Sequence, residues 1–98
     1  MSRIIFTISY DVNPEKRDEY LSLSRQMKEH LSKADGRNYA IYEQKGRKNS
    51  FTEVFVCANM EEYDQIEDQD EATSQLVIKL EQLLVNGKMK YSTLVELP

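Results

Sequence analysis

Hydrophobic and polar positions along this chain switch between a two-residue and a helical period, in the order strand, helix, strand, strand, helix, strand. Ile4-Ile5-Phe6-Thr7-Ile8-Ser9-Tyr10 is rich in β-branched and aromatic residues and predicts the first strand. Asn13-Pro14-Glu15 then predicts a helix start, with Asn13 as cap, Pro14 at the first helical position and Glu15 complementing the dipole. The stripe Tyr20, Leu23, Met27, Leu31 and Ala34 carries this helix to about Ala34, and Gly36 suits a left-handed stop. Asn38 to Gln44 reads as the second strand and Phe51 to Ala58 as the third, joined by the polar hairpin Lys45-Gly46-Arg47-Lys48-Asn49. Asn59 is placed to cap a second helical region that runs from Met60 to near Asn86-Gly87, and Met89 to Leu97 reads as the fourth strand.

Two crossover helices with right-handed connections turn this order into a ferredoxin-like α+β sandwich. The expected product is a βαββαβ domain over residues 1–98, with a four-stranded antiparallel sheet, strands 1 and 3 central, and both helical regions on one face. A length of 98 residues suits one domain. The net charge of −4 disfavours a general nucleic-acid footprint. One cysteine, Cys57, excludes an internal disulfide and suits a reducing compartment. With the first strand beginning at Arg3, no signal peptide is expected, and the apolar runs are far too short for a membrane span. A cytoplasmic protein is the expectation.

A two-layer sandwich leaves one sheet face wet, so its strands should alternate apolar and polar. The third strand does not: Phe51, Glu53, Phe55 and Cys57 lie on one face, and Thr52, Val54, Val56 and Ala58 on the other. The fourth strand keeps Leu94 opposite Met89, Tyr91, Val95 and Leu97. Monomers rarely leave such a face bare, and a second copy is the simplest cover, so a homodimer through the sheet is expected.

The pattern Ile5-Phe6-Thr7-Ile8, the helix opened by Asn13-Pro14-Glu15, Tyr39-Ala40-Ile41-Tyr42, Phe51-Thr52-Glu53-Val54-Phe55-Val56 followed by Met60-Glu61-Glu62-Tyr63, and a closing Leu94-Val95-Glu96-Leu97 resembles the dimeric α/β-barrel superfamily. Within it, the chain is most similar to the antibiotic-biosynthesis-monooxygenase-like members. The resemblance implies two ferredoxin-like sheets packed face to face, helices outside, and a ligand cavity within each subunit between sheet and helices. It also implies an activity in the range of cofactor-free oxygenases, haem-degrading enzymes and isomerases. The oxygenase and haem-degrading members use an asparagine, a tryptophan and, for haem, a histidine on helix 2. This chain has no tryptophan, and its only histidine, His30, is on helix 1, so those roles do not carry over. Without that axial histidine, haem degradation is not expected, and no cofactor or metal is.

Several residues carry candidate chemistry. His30 sits at the margin of the first helix's apolar stripe, as an exposed helix residue or as a proton carrier. On the second helical region one seam carries Tyr63, Ile66, Asp70, Thr73, Val77, Leu80 and Leu84, apolar except at Asp70 and Thr73. Either the helix breaks around Asp68-Gln69-Asp70 and solvates Asp70, or Asp70 faces the cavity as a carboxylate of raised pKa that accepts protons. Tyr10, Tyr39, Tyr42 and Tyr91 from strands, and Tyr20 and Tyr63 from helices, read either as an aromatic ligand wall, with Thr73 as a further ligand contact, or as ordinary core and interface tyrosines. The acidic run from Glu61 to Glu71 lacks the glycine and spacing of a calcium loop and is explained by the helix dipole. Cys57 reads as a small buried hydrophobe.

Two functions from different classes remain open. One is a cofactor-independent monooxygenase-like enzyme on a planar, easily deprotonated aromatic, with the tyrosines, Asp70 and His30 as its players. The other is a non-catalytic dimer that binds a small ligand or serves assembly. An RNA-recognition module shares the element order, but Glu53 would place a carboxylate on its stacking platform.

Overall fold

The β-branched run near the head of the chain forms strand β1, Ile4–Asp11, in a computed structural model that describes residues 3–33, 38–67 and 71–98. A 3₁₀ turn over Pro14–Lys16 leads into helix α1, Arg17–Lys33. Strands β2, Asn38–Glu43, and β3, Ser50–Cys57, follow as a hairpin. Helices α2, Met60–Glu67, and α3, Glu71–Glu81, precede a second 3₁₀ turn, Val85–Gly87, and strand β4, Lys90–Val95. The sheet has four antiparallel strands in the order β2-β3-β1-β4. This is the expected α+β ferredoxin-like arrangement, with β1 and β3 central. The expected stops at Ala34 and Gly36, and the question of a helix break at Asp68-Gln69-Asp70, lie outside the described residues.

Two local expectations are corrected. Asn13 makes no side-chain cap bond. Its backbone is held extended instead, because its N–H donates to the Leu83 carbonyl at 2.9 Å while its own carbonyl accepts from the Lys16 N–H at 2.8 Å. The second helical region also ends at Glu81, ahead of Asn86-Gly87. Leu84 turns extended there and forms an isolated bridge with Val12. Asn86 and Gly87 do adopt left-handed φ of 59° and 62°, but after the helix.

Asn59 caps α2 as expected. Its Oδ1 accepts the Glu62 N–H at 3.0 Å, and the Glu62 carboxylate reaches back to the Ala58 N–H at 2.7 Å. Asn59→Ala is expected to cost about 1 kcal/mol, measured by chemical denaturation.

Register assigns the faces. Ile4, Phe6, Ile8 and Tyr10 of β1 stand opposite Cys57, Phe55, Glu53 and Phe51 of β3 and point towards the helices. Between sheet and helices, Tyr10, Val12, Tyr20, Leu23, Met27, Phe51, Leu80, Leu83 and Leu84 form the principal buried cluster. The helix seam read from sequence therefore feeds the core at its Leu80 and Leu84 end. The other face carries Ile5, Ala40, Val54, Val56 and Leu94, with Ile5 at 36% and Leu94 at 55% exposure. No helix among the described residues is long and apolar enough to cross a membrane.

Candidate functional site

Alternation along β3 puts a carboxylate where its neighbours are aromatic. Phe51, Glu53, Phe55 and Cys57 all point inward, and Glu53 is only 4% exposed. A buried carboxylate needs donors. Tyr39, on the adjacent β2, donates its phenol O–H to Glu53 Oε1 at 2.7 Å. Tyr10, across on β1, shares a 2.8 Å hydrogen bond with the phenol of Tyr20 from α1, whose side chain is fully buried.

Burial pushes the Glu53 carboxyl above its ordinary range, and the hydroxyls of Tyr39 and Tyr10 only partly oppose this. Burial likewise raises the Tyr10 and Tyr39 phenols, and the nearby Glu53 charge adds to both shifts. The Tyr20 phenol is raised mainly by burial, against the opposing hydrogen bond from Tyr10. The three phenols therefore stay protonated donors, and Glu53, raised by burial, is the proton-accepting group of the cluster.

An array of rings extends from this cluster to the surface. Tyr39 packs on Phe55 at a centroid distance of 4.6 Å, and Phe55 on Phe6 at 5.8 Å. Phe6 then meets Tyr63 of α2 edge-on at 5.8 Å and stacks with Tyr91 of β4 at 6.1 Å. The Tyr63 hydroxyl bonds Thr93 Oγ1 at 3.1 Å, joining α2 to β4. Tyr91 is 62% exposed, whereas Phe55 and Tyr39 are buried, so the row of packed rings runs from solvent to the buried carboxylate.

The far end of the hairpin is held by charge. Arg17 places Nη1 2.6 Å from Glu43 Oε2 and Nη2 2.9 Å from Oε1, and Nη1 also donates to Asn49 Oδ1 at 2.8 Å. Its guanidinium lies 5.6 Å from the centroid of the Phe51 ring. The Arg17 hydrogen bonds, followed by the Asn49 N–H, hold the Glu43 carboxyl down to about 2.

The structure distributes the sequence-predicted residues unevenly. Tyr10 and Tyr39 gather near Glu53, and Tyr63 and Tyr91 form the outer rings. Tyr42 does not belong to that wall: it pairs with Thr52 on the opposite face of the sheet and is 58% exposed. Strand alternation is the reason, since Tyr42 lies three positions after Tyr39 and an odd offset cannot share a face. His30 Nε2 and Thr73 Oγ1 lie 3.0 Å apart, linking α1 to α3 within the helical layer. Asp70 lies outside the described residues. Glu53 was not among the residues singled out for chemistry, although the signal was present: it is the one charged position in an otherwise apolar set on a central strand.

No family model matches the chain, and no curated protein does. Solved structures match its fold over nearly their full length. A conserved protein from Methanosarcina mazei Go1 superposes with a TM-score of 0.83, at 19% identity, over 96% of this chain and 92% of that one. An antibiotic biosynthesis monooxygenase gives a TM-score of 0.81 at 17% identity, with each chain covered completely at 100%. A variant of SnoaB, a cofactor-independent oxygenase from Streptomyces nogalater, gives 0.76 at 12% identity over 94% of this chain and 90% of that one. The chain thus has the ferredoxin-like fold of the antibiotic-biosynthesis-monooxygenase-like proteins.

Proposed function

We propose that this chain forms a homodimer through the open face of its sheet. Each subunit would bind a small planar aromatic molecule along the inner aromatic array, with Glu53 as proton acceptor. The observation that carries the reading is the Glu53 carboxylate, 4% exposed and bonded by Tyr39 at 2.7 Å, at the inner end of the ring array. A base is most effective when its pKa approaches the working pH, and burial moves Glu53 in that direction. Stacked and edge-on rings suit a flat ligand, and Tyr39 can hold the carboxylate in place without taking its proton.

The chemistry that fits is oxygenation without a cofactor, the activity borne by SnoaB among the structures of this fold. Removing a proton from an acidic aromatic makes it electron-rich enough to reduce dioxygen itself. As the substrate loses two hydrogens, one oxygen atom enters the product and the other leaves as water. The protein's part is to bind the flat ring system, exclude water and accept the proton at Glu53.

A panel of polycyclic phenols, followed by absorbance and oxygen uptake, tests this. Wild-type protein is expected to bind one of them with the red shift of a phenolate and to consume oxygen. Glu53→Gln should keep the circular dichroism spectrum but lose the red shift and slow uptake about 100-fold or more. Unchanged uptake in Glu53→Gln would remove Glu53 from the chemistry.

A second reading, a non-catalytic dimer, is favoured by one observation. Every buried side-chain nitrogen and oxygen among the described residues already has a hydrogen-bond partner, as in a purely structural polar core. Under that reading the panel gives neither spectral shift nor oxygen uptake.

A further inference from the structure

A cleft of about 250 Å³ opens at the Asp11 end of β1 and the Ser50 end of β3, between the β2–β3 hairpin and the turn before β4. Its charged lining consists of Arg47, Lys88 and Lys90, opposed by the single carboxylate of Asp11. Hydroxyls of Ser9, Ser50 and Thr52 supply neutral polar contacts along its wall. The inner site lies further along the strands, towards Phe6 and Phe55, with Tyr10 and Phe51 as the boundary between the two.

The walls of this cleft are fixed by backbone. The Arg47 N–H donates to the Gln44 carbonyl at 3.1 Å, and the Arg47 carbonyl accepts from the Ser50 N–H at 3.1 Å. Gly46, at φ 86°, makes that tight loop possible, and Gly87, at φ 62°, sets the direction in which Lys88 leaves its turn. Ser9 and Thr52 hold each other through a 2.9 Å hydrogen bond. Asp11 accepts from the Ser50 hydroxyl and lies 3.7 Å from Arg47 Nη2. That ion pair is exposed, with side-chain exposures of 62% and 53%, so it is weak and leaves the Arg47 guanidinium available to an anion.

We propose that this cleft binds a small oxyanion carrying two negative charges, through Arg47, Lys88 and Lys90. Three cations against one carboxylate leave a surplus that a dianion matches. The volume is just below the range typical of drug-sized ligands, which fits a compact anion. A phosphate group and a short dicarboxylate share this chemistry, and Arg47 can meet either with two parallel N–H bonds.

The test is a ¹⁵N-NMR titration with sodium phosphate and, separately, sodium malonate, at constant ionic strength held with chloride. At least one of them is expected to give saturable shifts confined to the hairpin, the Val85–Gly87 turn and the start of β4, and the tighter of the two identifies the anion class. The double variant Arg47→Gln/Lys88→Gln should weaken binding tenfold or more, while Lys28→Gln on α1 leaves it unchanged. The altered side chains are exposed and outside the core, so the variant is expected to keep its fold, which the same spectra report. Shifts no larger than those of chloride for both anions would overturn the proposal, as would equal affinity in the double variant.

Discussion

Val54→Lys is expected to yield a folded monomer, and Phe55→Lys an unfolded chain. The two residues are adjacent, but they point to opposite faces of the same central strand. Phe55 is 3% exposed and packs against Phe6 and Tyr39, so a lysine there loses those ring contacts and brings an ammonium into the buried layer between sheet and helices. Burying an unpaired charge costs several kcal/mol, about the whole stability of a small domain. Val54 sits among Ile5, Ala40, Val56 and Leu94 on the open face, where lysine meets solvent in a monomer and a partner's apolar surface in a dimer. Sedimentation velocity at micromolar concentration, alongside circular dichroism, separates the two outcomes. A Val54→Lys protein that remains dimeric would show that the copies associate elsewhere.

Tyr39→Phe is expected to destabilise the fold by about 1–3 kcal/mol, because it removes the hydrogen-bond donor of a buried carboxyl oxygen. The loss should shrink on acidification, since a protonated Glu53 depends less on a donor. Linkage fixes the sign for the parent protein too. The folded Glu53 carboxyl lies above its ordinary value of 4.5, so the folded state holds the proton more tightly than the unfolded one. Its contribution is complete below that value and declines as pH rises through the folded value. Glu43 works the other way: its folded value near 2 gives stability that is present above 4.5 and fades as pH falls towards 2. Urea denaturation at pH 5 and pH 8 should show Glu53→Gln flattening the decline on the alkaline side. A decline as steep as the parent's would place its source in another group.

The architecture was legible in the sequence because both of its periods were clean. Strand identity, sheet composition and the Asn59 cap follow from local chemistry that the structure keeps. The Asn13 cap and the stop at Asn86-Gly87 misled because each is decided by a distant partner: Leu83 takes the Asn13 N–H, and Val12 draws Leu84 out of the helix. The site was half legible. A tyrosine count indicated aromatic walls, yet it could not tell Tyr39 from Tyr42 without the register that puts them on opposite faces. Glu53 was hidden for the converse reason. A glutamate in a strand ordinarily marks the wet face, and only the pairing of β3 between β1 and β2 shows that this face lies under the helices.

The strand order has a consequence for synthesis. β1 is completed early by a growing chain, but the strands that flank it come much later, β3 from Ser50 and β4 from Lys90. Ile4 waits for Cys57 on one side and for Val95 on the other. Contacts this distant in sequence close slowly, and meanwhile an apolar β-segment has both edges unpaired. Thr7 and Ser9 break the apolar run on one of its faces. They make the nascent segment less adhesive in the interval before its neighbours exist, a service that the finished sheet no longer displays.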